Sequence, residues 1–191
     1  MKFKSSFQKV MWLGSFISLA CMLLFFGGNA LWPSGLLFSL GVTSLTFFYH
    51  LAIRLLIGEF VVVKLKVNKA DYRHKWFQQT EWEKKLYKIL KVKKWKANMP
   101  TYSPDEFDIK KHSMEEIVQA TCQSEIVHEL NVVVSFIPLL FTFIFGAFLV
   151  FLFTSLAAAC FDLVFVIMQR FNRPRLARMI KYTEKTNEKR K

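Results

Sequence analysis

Cysteine and acidic residues are scarce in this sequence, and charge of either sign is missing from long stretches of it. Only 3 of the 191 residues are cysteine. Cys21 and Cys160 fall inside apolar runs and Cys122 in a polar portion, so no pair is placed for a disulfide or spaced as a zinc site. They read as small buried hydrophobes. Asp and Glu number 14 against 27 Lys and Arg, for a formal net charge of +13. No nucleic-acid motif accompanies that excess. Basic residues beside membrane spans are what orientation and anionic headgroups require, so the expected partner is an anionic membrane surface and not nucleic acid.

What is abundant is apolar: 53% of the chain, with 21 Phe. That composition rules out a disordered protein, and its bunching into uninterrupted runs argues against a soluble globular domain. Residues 10–27 carry no charge, residues 36–53 none apart from His50, and residues 130–168 only Asp162. A helix needs about 20 residues to cross a ~30 Å hydrocarbon core, so the last run predicts two spans with a tight turn near Gly146 or near Thr154 and Ser155. The first run, preceded by Lys2, Lys4 and Lys9, has the look of a signal peptide. Its length, and the lack of a small-x-small site after Gly27, favour a retained span.

The fold class expected is therefore all-α, a polytopic membrane protein with four transmembrane helices in two hairpins plus a cytoplasmic amphipathic-helix segment. The divisions are an N-terminal hairpin (1–63), a basic interfacial helical segment (64–129), a C-terminal hairpin (130–169) and a basic tail (170–191). Residues 64–111 hold 14 basic and 6 acidic residues, and residues 170–191 hold 9 and 2, whereas residues 28–35 hold none. Lys and Arg accumulate on the cytoplasmic side of short connections, which predicts a cell-membrane protein with both termini cytoplasmic.

Within the interfacial segment, residues 61–67 read as a continuation of the second span or a short extended exit. Trp82, Leu86, Ile89 and Leu90 fall at helical spacing among lysines, as in a helix lying in the headgroup plane or packed on its own protein. Prolines 100 and 104 mark a loop. Ser113 and Glu116 form a capping box, and no breaker follows, so one helix is expected from about Met114 through His128 into the third span.

On that helix Glu125, His128 and Glu129 lie three and four residues apart. A carboxylate beside an imidazole holds its tautomer and suits it to act as a general base. The competing readings are an ordinary polar turn ahead of a span, and a metal site of the Glu-x-x-His kind with His112 or His74 as a further ligand. Carboxylate-bridged sites draw matching motifs from other helices. No second Glu-x-x-His exists, and no metal is expected. Asp162, inside the last run, costs ~2.5 kcal/mol or more in hydrocarbon and needs a partner, with Arg54, His50 or the basic cluster beyond Gln169 available. That cluster reads Gln169-Arg170-Phe171-Asn172-Arg173-Pro174-Arg175-Leu176. Three guanidinium groups there can fork onto phosphate oxygens.

The octapeptide closely resembles the Q-R-Y-N-R-P-R-L signature of the glycosyl-4,4'-diaponeurosporenoate acyltransferases, which complete staphyloxanthin-type carotenoids. The likeness runs from Tyr87 to Leu176 and includes Trp95 and Lys96 with Pro100, the Glu116 region, and Glu125 with His128. Phe171 stands where the family has tyrosine, Glu129 where an aromatic is expected and Asp162 where asparagine is. These departures bear on the acceptor more than on the reaction class.

The resemblance implies transfer of a fatty acyl group, from acyl-CoA or acyl carrier protein and without a cofactor, to a hydroxyl of a glycolipid or related membrane lipid. His128 is then the expected base, oriented by Glu125, with Glu129 and Asp162 beside it. Arg170, Arg173 and Arg175 would hold phosphate, Asn172 or Gln169 the oxyanion, and Trp95 and Lys96 the substrate. No Ser or Cys stands in a nucleophile-elbow context, which favours direct transfer. A non-enzymatic membrane assembly or lipid-binding subunit is the alternative. A transporter ranks below it because no inverted repeat is visible.

Overall fold

The computed structural model describes residues 5–59 and 70–188. Residues 61–67, expected to continue the second span or leave it extended, lie outside them. Every regular element among the described residues is helical: α1 (Ser6–Leu31), α2 (Gly35–Glu59), α3 (Glu81–Ile89), α4 (Val92–Trp95), α5 (Met114–Val134), α6 (Thr142–Phe145) and α7 (Phe148–Glu188). Four stretches are long and apolar enough to cross a membrane, namely Ser6–Leu31, Gly35–Gly58, Met114–Phe145 and Phe148–Thr183. This is the make-up of a membrane protein.

The two hairpins form for different reasons. α1 and α2 are joined by three residues, and the Asn29 side chain accepts the Ser34 N–H at 2.9 Å to close the turn. Their axes come together at Gly41, where even a methyl group would sit 2.8 Å from the Phe26 ring. That ring has nowhere to go, because it stacks on Phe145 with centroids 6.0 Å apart and meets Phe38 edge-on. In the second hairpin α5 stops at Val134 and the chain tightens into a 3-10 turn at Ile137–Phe141 with Pro138 in its first turn, where a missing N–H is tolerated. The reversal follows at Gly146, whose φ of 76° is open to glycine and strained for other residues. Of the two turn positions expected, Gly146 is the one used, and Thr154 and Ser155 lie inside α7.

α7 does not stop at Gln169. It continues through the whole arginine octapeptide, with Pro174 inside the helix, so the basic stretch beyond residue 169 is the outer part of the span's own helix. The hairpins meet through α2, where the Tyr49 hydroxyl donates to the Val134 carbonyl at 2.8 Å.

Between the hairpins, α3 starts with a capping box in which Thr80 and Glu83 satisfy each other's backbone donors. The face it turns inward is not the expected apolar stripe. Glu83 and Tyr87 are buried, while Trp82 and Ile89 are exposed. At α5 the expected capping box is present, with Ser113 N–H donating to Glu116 at 2.8 Å and Glu116 N–H to Ser113 at 3.2 Å.

Replacing Gly41 by leucine forces the caged Phe26 ring aside, an overpacking that costs about 1–3 kcal/mol. A lowered midpoint of thermal unfolding in detergent, absent in a Gly27→Leu control where open space surrounds the added carbon, is the expected result.

Candidate functional site

Along α5 the polar residues Ser124, His128, Asn131 and Ser135 recur every three or four positions, and along α7 so do Ser155, Asp162, Gln169 and Arg173 at seven and four. Those spacings put each set on one helical face. In the hairpin the two faces meet. Asp162 is fully buried at the seam, and its two oxygens have separate partners. Oδ1 lies 2.8 Å from His128 Nδ1 and 3.4 Å from Asn131 Nδ2. Oδ2 takes an ion pair from Arg54 of α2. Arg54 is fixed in turn by the His50 carbonyl at 2.5 Å, the Ala158 carbonyl at 3.0 Å and the Ser135 hydroxyl at 3.2 Å.

An ionised carboxylate only accepts, so the bond to Asp162 is one that His128 donates from Nδ1, and in a neutral ring this makes Nε2 the acceptor nitrogen. The ring is held flat on Phe165, with centroids 4.6 Å apart and planes 8° apart. Both His128 and Asp162 line a cavity of about 190 Å³. Its wall includes Phe7 and Met11 of α1, Ser124 and Gln169, and Pro100, Tyr102 and Phe107 of the interhelical loop. That loop is tied to α1, since Ser5 Oγ donates to the Tyr102 carbonyl at 2.9 Å and Gln8 Nε2 to the Tyr102 hydroxyl at 3.0 Å.

The carboxylate against His128 is thus Asp162, not Glu125 as the spacing along α5 suggests. Glu125 is fully buried and points the other way. Its Oε1 accepts from Arg170 Nη1 at 2.7 Å, and Arg173 Nη2 sits 2.5 Å from its Oε2. The second contact is ionic and not a well-aligned hydrogen bond, because the Arg173 N–H groups aim at Thr121 and at the Phe77 carbonyl. Arg170 also forks onto Glu83 at 2.6 and 3.2 Å and donates to the carbonyls of Trp76 and Gln78. Arg170 and Arg173, expected to hold phosphate, are therefore committed to an internal network that pins α3 and the segment before it onto α5 and α7.

The other expected residues scatter. Glu129 accepts from Trp76 Nε1 at 3.0 Å, away from the cavity. Gln169 lines the cavity and donates to Ser124 at 3.0 Å. Trp95 donates to the Leu90 carbonyl. Lys96 bonds the Asn172 side chain, with its ammonium 4.8 Å from the Phe171 ring centre. Burial first, and then Arg175 and Lys93, lower the Lys96 pKa, which marks a crowd of cations; Arg175 is exposed. His74 accepts from the Trp76 N–H and His112 pairs with Glu116. Among the described residues no three His, Cys, Asp or Glu side chains gather as a ligand set. Residues with no role in the sequence reading are Asn131, Phe165, Tyr102, Thr121 and Glu83. For the first two, three-residue spacing from His128 and Asp162 was a usable signal.

Fold and site together define a helical protein of membrane-spanning length whose His128–Asp162 pair lines a cavity. A family model described as glycosyl-4,4'-diaponeurosporenoate acyltransferase matches residues 73–182, more than half of the chain. The protein belongs to that family of carotenoid-biosynthesis acyltransferases, and it is an acyltransferase. No curated protein and no solved structure matches it.

Two outcomes follow from the ionic network. Glu125→Ala strands the buried Arg173 guanidinium and takes one of the two carboxylates from Arg170, a loss of about 3–5 kcal/mol, visible as a collapse of the unfolding temperature in detergent. Burial raises the Glu83 pKa, but the hydrogen bonds from Arg170 and Thr80 overcome it and hold the carboxyl at about 2 against an ordinary 4.5. A depressed folded-state pKa contributes stability that is complete above the unfolded value. Stability should therefore fall as pH drops from 4.5 toward 2, and the Glu83→Gln variant should lose that part of the slope.

Proposed function

We propose that this acyltransferase works in the membrane, moving a fatty acyl group from a thioester donor to a hydroxyl of a glycolipid or related membrane lipid, with His128 as general base. The observation that carries the reading is the His128–Asp162 pair lining a cavity whose wall includes residues of the 100–107 segment. The positive-inside distribution supports a cytoplasmic side of the cell membrane for the basic end of the bundle, and with it the cavity.

His128 Nε2 takes the proton of the acceptor hydroxyl as its oxygen attacks the thioester carbon. The C–O bond forms, the carbonyl becomes an oxyanion, and its collapse breaks the C–S bond. The leaving sulfur receives the proton from the imidazolium, so the thiol departs and His128 is restored. Asp162 stabilises the imidazolium between those events, as an orienting carboxylate does in triad enzymes, and Arg54 keeps that carboxylate from being stranded in an apolar setting. Gln169 and Asn131, both on the cavity wall, are the amides placed to donate to the oxyanion. Asn172, held by Lys96 outside that wall, is not. For the donor's phosphates, Lys96 and Arg175 replace the buried Arg170 and Arg173. Trp95 borders that same outer region.

Lipid mass spectrometry of host membranes with and without the protein tests this. One lipid should gain an acyl chain only when the protein is present, and His128→Ala should reduce that product by roughly 10²–10⁴-fold, the usual contribution of a general base. A product that survives His128→Ala would remove the base assignment, and a covalent acyl adduct on any side chain would refute direct transfer.

A further inference from the structure

A second cavity, of about 340 Å³, lies between α2 and α7. It shares Met11, Arg54 and Phe161 with the first, so the two are neighbours on either side of the Arg54–Asp162 pair. From that level it reaches Thr46 on α2 and Thr154 on α7, eight residues along each helix, or about 12 Å. Its wall offers almost nothing polar. The Thr46 and Thr154 hydroxyls are turned back onto the Val42 and Val150 carbonyls at 2.8 and 2.7 Å. Arg54 is held by Asp162 and leaves only its Nε unpaired. Ala157 and Ala158 leave the space that Phe47 borders from the other side.

His50 is the exception. It is 7% exposed, it lines this cavity one turn from Arg54, and neither ring nitrogen has a hydrogen-bond partner. A buried polar group left unpaired is destabilising, and native structures tolerate one where something else satisfies it. An apolar slot whose unpaired nitrogens, those of His50 and Arg54 Nε, gather at the end nearest the first cavity matches a hydrocarbon chain that ends in a carbonyl.

We propose that the cavity between α2 and α7 binds the acyl chain of the donor, methyl end toward Thr46 and Thr154, with His50 donating to the carbonyl oxygen of the bound thioester before the Gln169 and Asn131 amides receive it as the oxyanion, and the carbonyl carbon facing His128. This assignment rests on the transferase reading above. Ala157, Ala158 and Phe47 then set the chain length, because a larger side chain on α7 shortens the slot and a smaller one at Phe47 deepens it.

The test uses the full-length protein in host membranes with a series of acyl donors of increasing length. Ala158→Leu should move the preferred donor to shorter chains and Phe47→Ala to longer ones, each misfitting methylene changing kcat/KM by roughly tenfold or more. A preference that stays at the wild-type length in either variant overturns the proposal. A binding readout needs no turnover: long-chain acyl-CoA carrying a diazirine near its methyl end should, on irradiation of the wild-type protein, label Thr46, Phe47 or residues 154–158. Label confined to the first cavity or to other helix faces overturns it. Groove labelling in a protein that forms no acylated lipid keeps the chain site and refutes the transferase reading alone. Product without groove labelling refutes the chain site alone.

Discussion

A carboxylate in the middle of an apolar helix is the constraint around which this protein is arranged. Asp162 has no water to turn to, and a charge in that position costs several kcal/mol unless it is paired and hydrogen-bonded. Its partners come from both hairpins: Arg54 from α2, His128 and Asn131 from α5. The pairing that makes Asp162 tolerable thus docks the N-terminal hairpin on the C-terminal one, orients the imidazole, and places the two cavities on either side of one ion pair. In the proposed mechanism stability and chemistry share the same atoms, so the site cannot be loosened without loosening the bundle.

The second ionic cluster does different work. Glu83, Glu125, Arg170 and Arg173 alternate in sign across α3, α5 and α7, and the arginines also collect the carbonyls of Trp76, Phe77 and Gln78. Those carbonyls belong to a stretch with little regular structure of its own, and each would otherwise need another partner. The arginine octapeptide is therefore a clamp that fastens the interhelical segment to the bundle, while residues of the 100–107 stretch contribute to the wall of the first cavity.

The spans, the two hairpins, the Gly146 turn and the Ser113 capping box were legible because each rests on local pattern: uncharged runs, charge asymmetry, one glycine, one Ser-x-x-Glu. Arg54 was among three candidate partners for Asp162, named because a buried acid must have one. Spacing failed where the question was which helix a face meets. Glu125 and His128 are three residues apart on α5, yet the face turns just enough between them that one looks to the arginines of α7 and the other to Asp162. Glu83 was equally hidden, because in a lysine-rich helix it reads as a solvated charge, and only the tertiary fold supplies the Arg170 that makes burial acceptable.

The most direct measurement of the central claim is the tautomer of His128, read from the ¹⁵N chemical shifts of histidine-labelled protein in lipid nanodiscs and assigned by loss of the signal in His128→Gln. The account predicts the Nδ1–H form in the wild-type protein, with Nε2 unprotonated, and loss of that preference in Asp162→Asn. A His128 protonated on Nε2, or one indifferent to Asp162, would contradict it.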